Sequence, residues 1–218
     1  MSTMILACSS LQDYINAAQE KLGTDYRVVY MDKKYHAEPK AMHGHIVSYL
    51  SAVPQGIDTI LVFMGYCGGS WEGVTVPCRI VLPRLDDCVS LLLQTDDSYC
   101  PDRKQTGHLY MKDKDPKNFS LLQAFEGWTA NMTPEEKEKT RQLWTSAYSS
   151  IDIVDTGMYD CHSEAYIAEA KKNAEWIGGT VQYVDGSSRI IEKSLSGNWD
   201  EQFFVAEKGY TITRKNLL

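Results

Sequence analysis

The sequence lacks the features that announce several common functions. No apolar run approaches the roughly eighteen residues of a membrane-spanning helix. The N-terminus, Met1 to Tyr14, has no basic start and turns polar after Ala7, so it does not read as a secretory signal. Basic residues are in deficit, 22 Lys and Arg against 29 Asp and Glu, which argues against nucleic acid or anionic membrane as a partner. No Gly-Lys-Ser/Thr follows its glycines, no dinucleotide fingerprint is present, and no Gly-x-Ser-x-Gly elbow appears; phosphate-loop, dinucleotide-loop and elbow-hydrolase chemistry are disfavoured. Internal repeats, low-complexity tracts and Cys-x-x-Cys spacings are missing too. The expectation is a cytoplasmic globular protein.

What is present is enough apolar content to bury a core, 43% of 218 residues. Short apolar strands alternate with helical patterns along the whole chain, the signature of parallel βαβ units. Strands are expected at Met4–Cys8, Tyr26–Met31, Ile60–Met64, Arg79–Leu82, His108–Met111, Ile151–Val154 and Val181–Val184, with Phe203–Ala206 and Tyr210–Thr213 closing the sheet or pairing at its edge. Leu11, Ile15, Ala18 and Leu22 follow the helical period, and Gly23 ends that helix. Thr133-Pro134-Glu135-Glu136 starts another with an N-cap, a proline at the first helical position and early acids. The predicted fold is α/β, doubly wound with a mostly parallel sheet, in two Rossmann-like lobes: an N-terminal lobe over 1–110 and a C-terminal lobe over 111–218.

Six cysteines need a role other than disulfides, which are rare in the cytosol. Cys78 and Cys100 read as small buried hydrophobes. Four other side chains fall on successive βα connections: Cys8 ends the first strand, His36 follows the second, Cys67 follows the third and Cys88 starts the helix after the fourth. In a parallel sheet those connections share one edge, where α/β proteins bind ligands. Three thiolates and an imidazole suit tetrahedral zinc, and three thiolates suit an iron–sulfur cluster. Unrelated residues, or a strand-end thiol that is reactive without metal, are the competing readings. Gly65, Gly68 and Gly69 around Cys67 allow a cofactor to approach the backbone closely. Asp86 or Asp87 is the expected N-cap of the following helix. Arg84 is suited to hold a carboxylate or phosphate, and Asp87 to act as a base. His43 and His45 read as solvated surface. Cys161-His162, adjacent in sequence, ranks below the first set.

Several of these segments together resemble one family, the domain of unknown function numbered 1638 of archaea and bacteria. The resemblance lies in Ile5-Leu6-Ala7-Cys8, His36 with Pro39, Gly65-Tyr66-Cys67-Gly68, Pro83-Arg84-Leu85-Asp86-Asp87-Cys88, Gly127-Trp128, Asp155-Thr156-Gly157, Asp185-Gly186-Ser187 and Ser196-Gly197-Asn198-Trp199-Asp200. Two departures stand out: Asp86 occupies a position where relatives are expected to carry histidine, and Gln94-Thr95-Asp96-Asp97 replaces a Gly-Thr/Ser-rich turn. The resemblance implies an association with one-carbon and corrinoid methyl metabolism, but no defined reaction.

The leading expectation is a cytosolic metal-binding enzyme with a thiolate-rich zinc site, acting on a small molecule in corrinoid-linked methyl transfer. The alternatives are a non-catalytic metal-, cluster- or corrinoid-binding accessory protein, and a metal-free enzyme with Cys67 or Cys88 as nucleophile.

Overall fold

The computed structural model describes residues 2–218. In chain order the elements are β1 (Thr3–Cys8), α1 (Gln12–Leu22), β2 (Arg27–Met31), α2 (Pro39–Ser51), β3 (Thr59–Phe63), β4 (Arg79–Pro83), α3 (Cys88–Leu92), β5 (His108–Met111), α4 (Leu121–Trp128), α5 (Pro134–Ala147), β6 (Ser150–Asp155), α6 (Glu164–Ile177), β7 (Thr180–Asp185), α7 (Arg189–Leu195), β8 (Phe203–Ala206) and α8 (Arg214–Leu217). They form two compact units, one of Met1–Arg103 with Ser187–Leu218 and one of Lys104–Gly186. From sequence alone, a single boundary between 110 and 111 is expected. The difference comes from β8, which returns to pair antiparallel with β4, from Ile80↔Ala206 to Pro83↔Phe203. The last segment of the chain therefore belongs with the first unit.

Unit 1 is built on a five-stranded sheet in the order β2-β1-β3-β4-β8, parallel except for β8 at its edge. Both faces are covered. Met4, Leu6, Ile60, Val62, Ile80 and Leu82 point to one side, where they share a core with Met42, Ile46 and Leu50 of α2. Ile5, Ala7, Leu61, Phe63 and Val81 alternate to the other side and are buried as well. There α7 packs against β3 and α1 against α7. Runs of apolar residues without polar alternation are what a sheet buried on two faces requires. The chain crosses from β1 outward to β2, then back over β1 to β3, so a topological switch point lies between the carboxyl ends of β1 and β3.

Local signals agree with these elements. Gly23 adopts the left-handed conformation that ends α1, and Thr133 with Glu136 forms the reciprocal capping box of α5. The strand expected at Tyr210–Thr213 is reduced to a single bridge between Thr75 and Thr211, followed by α8. Unit 2 carries a three-stranded parallel sheet, β5-β6-β7, whose Ile151 and Ile153 pack with Tyr166, Ala170, Ala174 and Ile177 of α6. Among the described residues, no helix is long and apolar enough to cross a membrane.

The end of unit 1 is fastened by a buried ammonium. Lys193 of α7 donates to Asp200 at 2.5 Å, to Asp97 at 2.6 Å and to Gln202 at 2.7 Å, and Arg189 reaches Asp97 at 2.5 Å. Removing one partner of such a set strands the rest. Lys193→Met is expected to lower unfolding stability in urea by roughly 2 kcal/mol, a discounted figure because the carboxylates are partly exposed; an unchanged midpoint would contradict the role. Hydrogen bonds from Arg189, then Lys193, hold the Asp97 carboxyl down to about 2. A depressed carboxylate stabilises fully above its ordinary range and ceases to do so as pH falls through about 2. Melting curves of the parent and Asp97→Asn should therefore differ at pH 6 and converge toward that acid limit.

Candidate functional site

The carboxyl edge of the unit 1 sheet gathers the thiols expected there. Cys8 is the last residue of β1, Cys67 lies in the turn after β3, and Cys88 opens α3 after β4. Cys8 and Cys67 are 8% and 6% exposed, and Cys88 packs against the same core. A residue absent from the sequence reading stands between two of them: the Ser10 hydroxyl is 3.2 Å from Cys8 Sγ and donates to Cys88 Sγ at 3.4 Å. Burial pushes the Cys67 thiol well above its usual range, and the neighbouring Cys88, Asp87 and Asp86 push it further.

Backbone geometry explains how Cys67 is delivered. Tyr66 N–H donates to Leu85 C=O at 2.8 Å and Cys67 N–H to Asp86 C=O at 2.7 Å, so the loop after β3 lies along the loop after β4. That approach depends on Gly65: a Cβ there would meet Asp87 N at 2.5 Å and the Asp86 carbonyl at 2.6 Å. Three successive residues then take left-handed backbone, Cys67 at φ 47, Gly68 at 66 and Gly69 at 99. For the two glycines this is inexpensive. For cysteine it is strained, and such residues concentrate where a side chain must be aimed. Gly68 leans on the Pro39 ring, 2.9 Å from where its Cβ would be, and His43 Nδ1 contacts Ser70 C=O at 3.1 Å. The glycines thus face protein atoms, and His43, read as solvated surface, ties α2 to this loop.

The remaining expected residues fall around the thiols in different ways. Asp87 is the N-cap of α3, its Oδ1 accepting from Ser90 N–H at 2.8 Å. The Arg84 guanidinium sits over the Tyr99 ring, its Cζ 4.0 Å from the centroid, and donates to Glu201 C=O at 3.1 Å. Its buried Nε has no hydrogen-bond partner among the described residues. His36 sits exposed on a short turn, Lys33–Ala37, after β2, and among the described residues it joins no close group of three metal-competent side chains. Cys78 lies one residue before β4, at the opposite, amino-terminal end of the sheet, and Cys100 donates its thiol to Asp102 C=O at 3.4 Å.

Unit 2 holds a second group. Asp155 ends β6, its central strand; His162 Nε2 lies 2.9 Å from Asp155 Oδ2, and Gly157 N–H donates to Oδ1 at 3.1 Å. Contacts with His162, then Gly157 N–H, hold the Asp155 carboxyl below its usual range. Burial, reinforced by the Asp155 charge, pushes the Cys161 thiol up to about 11. These are the only three donors among the described residues whose ligand atoms all lie within 4.8 Å of one another. The three thiols of unit 1 are more widely set. In sequence, the unit 2 group is marked only by the adjacent Cys161-His162 pair, a poor geometry for chelating one ion until Asp155 joins it.

Replacing Gly65 with alanine should therefore damage unit 1 far more than the same change at Gly73, where a Cβ meets nothing within 4 Å. Overpacking against backbone is expected to cost roughly 3 kcal/mol, against about 1 kcal/mol for left-handed alanine at Gly73. Urea unfolding of the two variants checks this; equal losses would refute the close approach.

Comparison with known proteins adds a family but no described activity. A family model described as "Protein of unknown function (DUF1638)" matches residues 30–195, a span that contains His36, Cys67, Cys88 and the Asp155 group and excludes Cys8. No curated protein and no solved structure matches the chain. With well over half of its length matched, the chain belongs to this family of proteins of unknown function.

Proposed function

We propose that unit 1 binds a redox-active or Lewis-acidic metal through Cys8, Cys67 and Cys88, and uses it on a small molecule in one-carbon transfer linked to a corrinoid partner. The observation that carries the metal reading is positional. Three thiols from three separate βα connections converge beside the switch point between β1 and β3, where open α/β sheets bind ligands. The strained Cys67 backbone supports it, because packing alone would be served by a residue in ordinary conformation. The clustering of thiols with Asp86 and Asp87 supports it further, since a bound cation would offset both the burial that chiefly keeps Cys67 protonated and the neighbouring negative charges that add to it. The methyl-transfer and corrinoid parts rest on the family resemblance.

Under this reading Asp87 acts on position rather than as a base, fixing the first turn of α3 and with it Cys88. Arg84, seated over the Tyr99 ring, is suited to orient an anionic group of the substrate. A thiolate-held zinc ion would supply an acidified substrate thiol. The spacing favours a second choice of metal. Ser10 stands between Cys8 and Cys88, and a multi-iron cluster spreads its thiolates more widely than one zinc ion does.

Metal analysis and visible absorption of protein purified without oxygen distinguish these outcomes. Zinc or iron should be present near stoichiometry in the parent and in Cys78→Ser. It should fall by the complement of one site per chain in Cys67→Ser and in Cys88→Ser, with the melting transition retained and any metal held by the unit 2 group unchanged. Iron accompanied by sulfide and visible absorption selects the cluster; colourless zinc protein selects the single ion. Unchanged metal content in Cys67→Ser and Cys88→Ser, or its loss in Cys78→Ser alone, would overturn the proposal.

A further inference from the structure

The Asp155, Cys161 and His162 group is built independently of the unit 1 thiols. Asp155 is presented at the carboxyl end of the central strand of the β5-β6-β7 sheet, with Gly157 N–H fixing one carboxylate oxygen and leaving Oδ2 toward His162. The loop from 156 to 163 is held from several sides. Tyr159 donates to Val154 C=O at 2.9 Å, His162 N–H to Asp160 Oδ1 at 3.2 Å, and Ser163 caps α6. Tyr183 of β7 stacks on the His162 ring, 4.6 Å between centroids and 23° from parallel, while its hydroxyl donates to Cys161 C=O at 3.3 Å. One tyrosine thus fixes both the ring plane of His162 and the backbone of Cys161. This explains how neighbouring residues bring their side chains to one point.

We propose that Asp155, Cys161 and His162 bind a divalent cation of the zinc class through Oδ2, Sγ and Nε2. The donor set contains one thiolate, one imidazole and one carboxylate, all groups that zinc accepts. With the thiol deprotonated, its charge and that of Asp155 balance a dication. Tetrahedral bonds to zinc put imidazole nitrogen and carboxylate oxygen about 3.3 Å apart, and sulfur about 3.6 Å from nitrogen. The present 2.9 Å contact between His162 and Asp155 needs to open by only a few tenths of an ångström. Burial is graded across the group: Cys161 is 1% exposed, whereas the side chains of Asp155 and His162 are 35% and 62% exposed. A bound ion would be shielded on the thiol side and open to solvent on the other. Three protein ligands with an open fourth position are the pattern of catalytic rather than structural zinc. A free nucleophile is disfavoured here, because the thiol is buried and faces a carboxylate, which repels a thiolate.

The test uses the full chain, stripped of metal under reducing conditions and titrated with Zn²⁺ and, separately, Co²⁺. His162→Ala alters an exposed side chain and Asp155→Asn keeps the size and shape of a partly exposed one, so both are expected to keep the parent's circular dichroism and melting. Each should bind one equivalent of zinc fewer than the parent, or bind that equivalent at least a hundredfold more weakly. One thiolate-to-cobalt absorption component should vanish with Cys161→Ser. The difference of one equivalent is expected whether or not the unit 1 thiols also bind metal, so the two proposals succeed or fail separately. Equal stoichiometry and affinity in the parent, His162→Ala and Asp155→Asn would overturn this site.

Discussion

Two backbone hydrogen bonds, Tyr66 N–H to Leu85 C=O and Cys67 N–H to Asp86 C=O, organise the carboxyl edge of unit 1. They align the loops that follow β3 and β4, and through them the turn bearing Cys67 and the first turn of α3 bearing Cys88. The contact is possible because Gly65 has no Cβ to collide with Asp86 and Asp87. Around this junction the other pieces are local: Asp87 caps α3, Gly68 rests on Pro39, and Ser10 links Cys8 to Cys88. Disturbing the junction would move two thiols together while leaving the apolar strands in place.

The two thiol-bearing groups differ in kind. In unit 1 the sulfurs belong to the core and are spread around a hydroxyl, an arrangement that favours a larger, soft centre. In unit 2 a single buried sulfur meets an exposed imidazole and a partly exposed carboxylate within a short radius, which suits one borderline ion. Each lies at the carboxyl ends of parallel strands, so each follows from the same topological rule applied to a different sheet.

Much of the fold was legible in the sequence because its signals are local. Strands buried on both faces appear as short apolar runs, and Gly23, Thr133 and Asp87 mark helix ends by their own backbone and side-chain chemistry. The return of β8 to unit 1 was not legible, since pairing across more than a hundred residues leaves no mark at the spacing of either strand. The convergence of Cys8, Cys67 and Cys88 toward one edge could be read from strand alternation alone. The place of His36 could not, because its side chain lies on a turn whose direction depends on tertiary packing. Gly65, Gly68 and Gly69 were recognised as unusual, yet their use in loop-to-loop contact appears only when distances are known. The Asp155 group depends on Tyr183, which lies twenty-one residues beyond His162 and carries no signal of its own.

The central claim, a metal held by the unit 1 thiols, is tested most directly by X-ray absorption at the metal edge. The sample is anaerobically purified His162→Ala protein, in which the unit 2 group no longer contributes. The account predicts about three sulfur neighbours per metal near 2.3 Å, joined by a metal–metal distance if the centre is a cluster. A coordination shell of nitrogen and oxygen alone would contradict it.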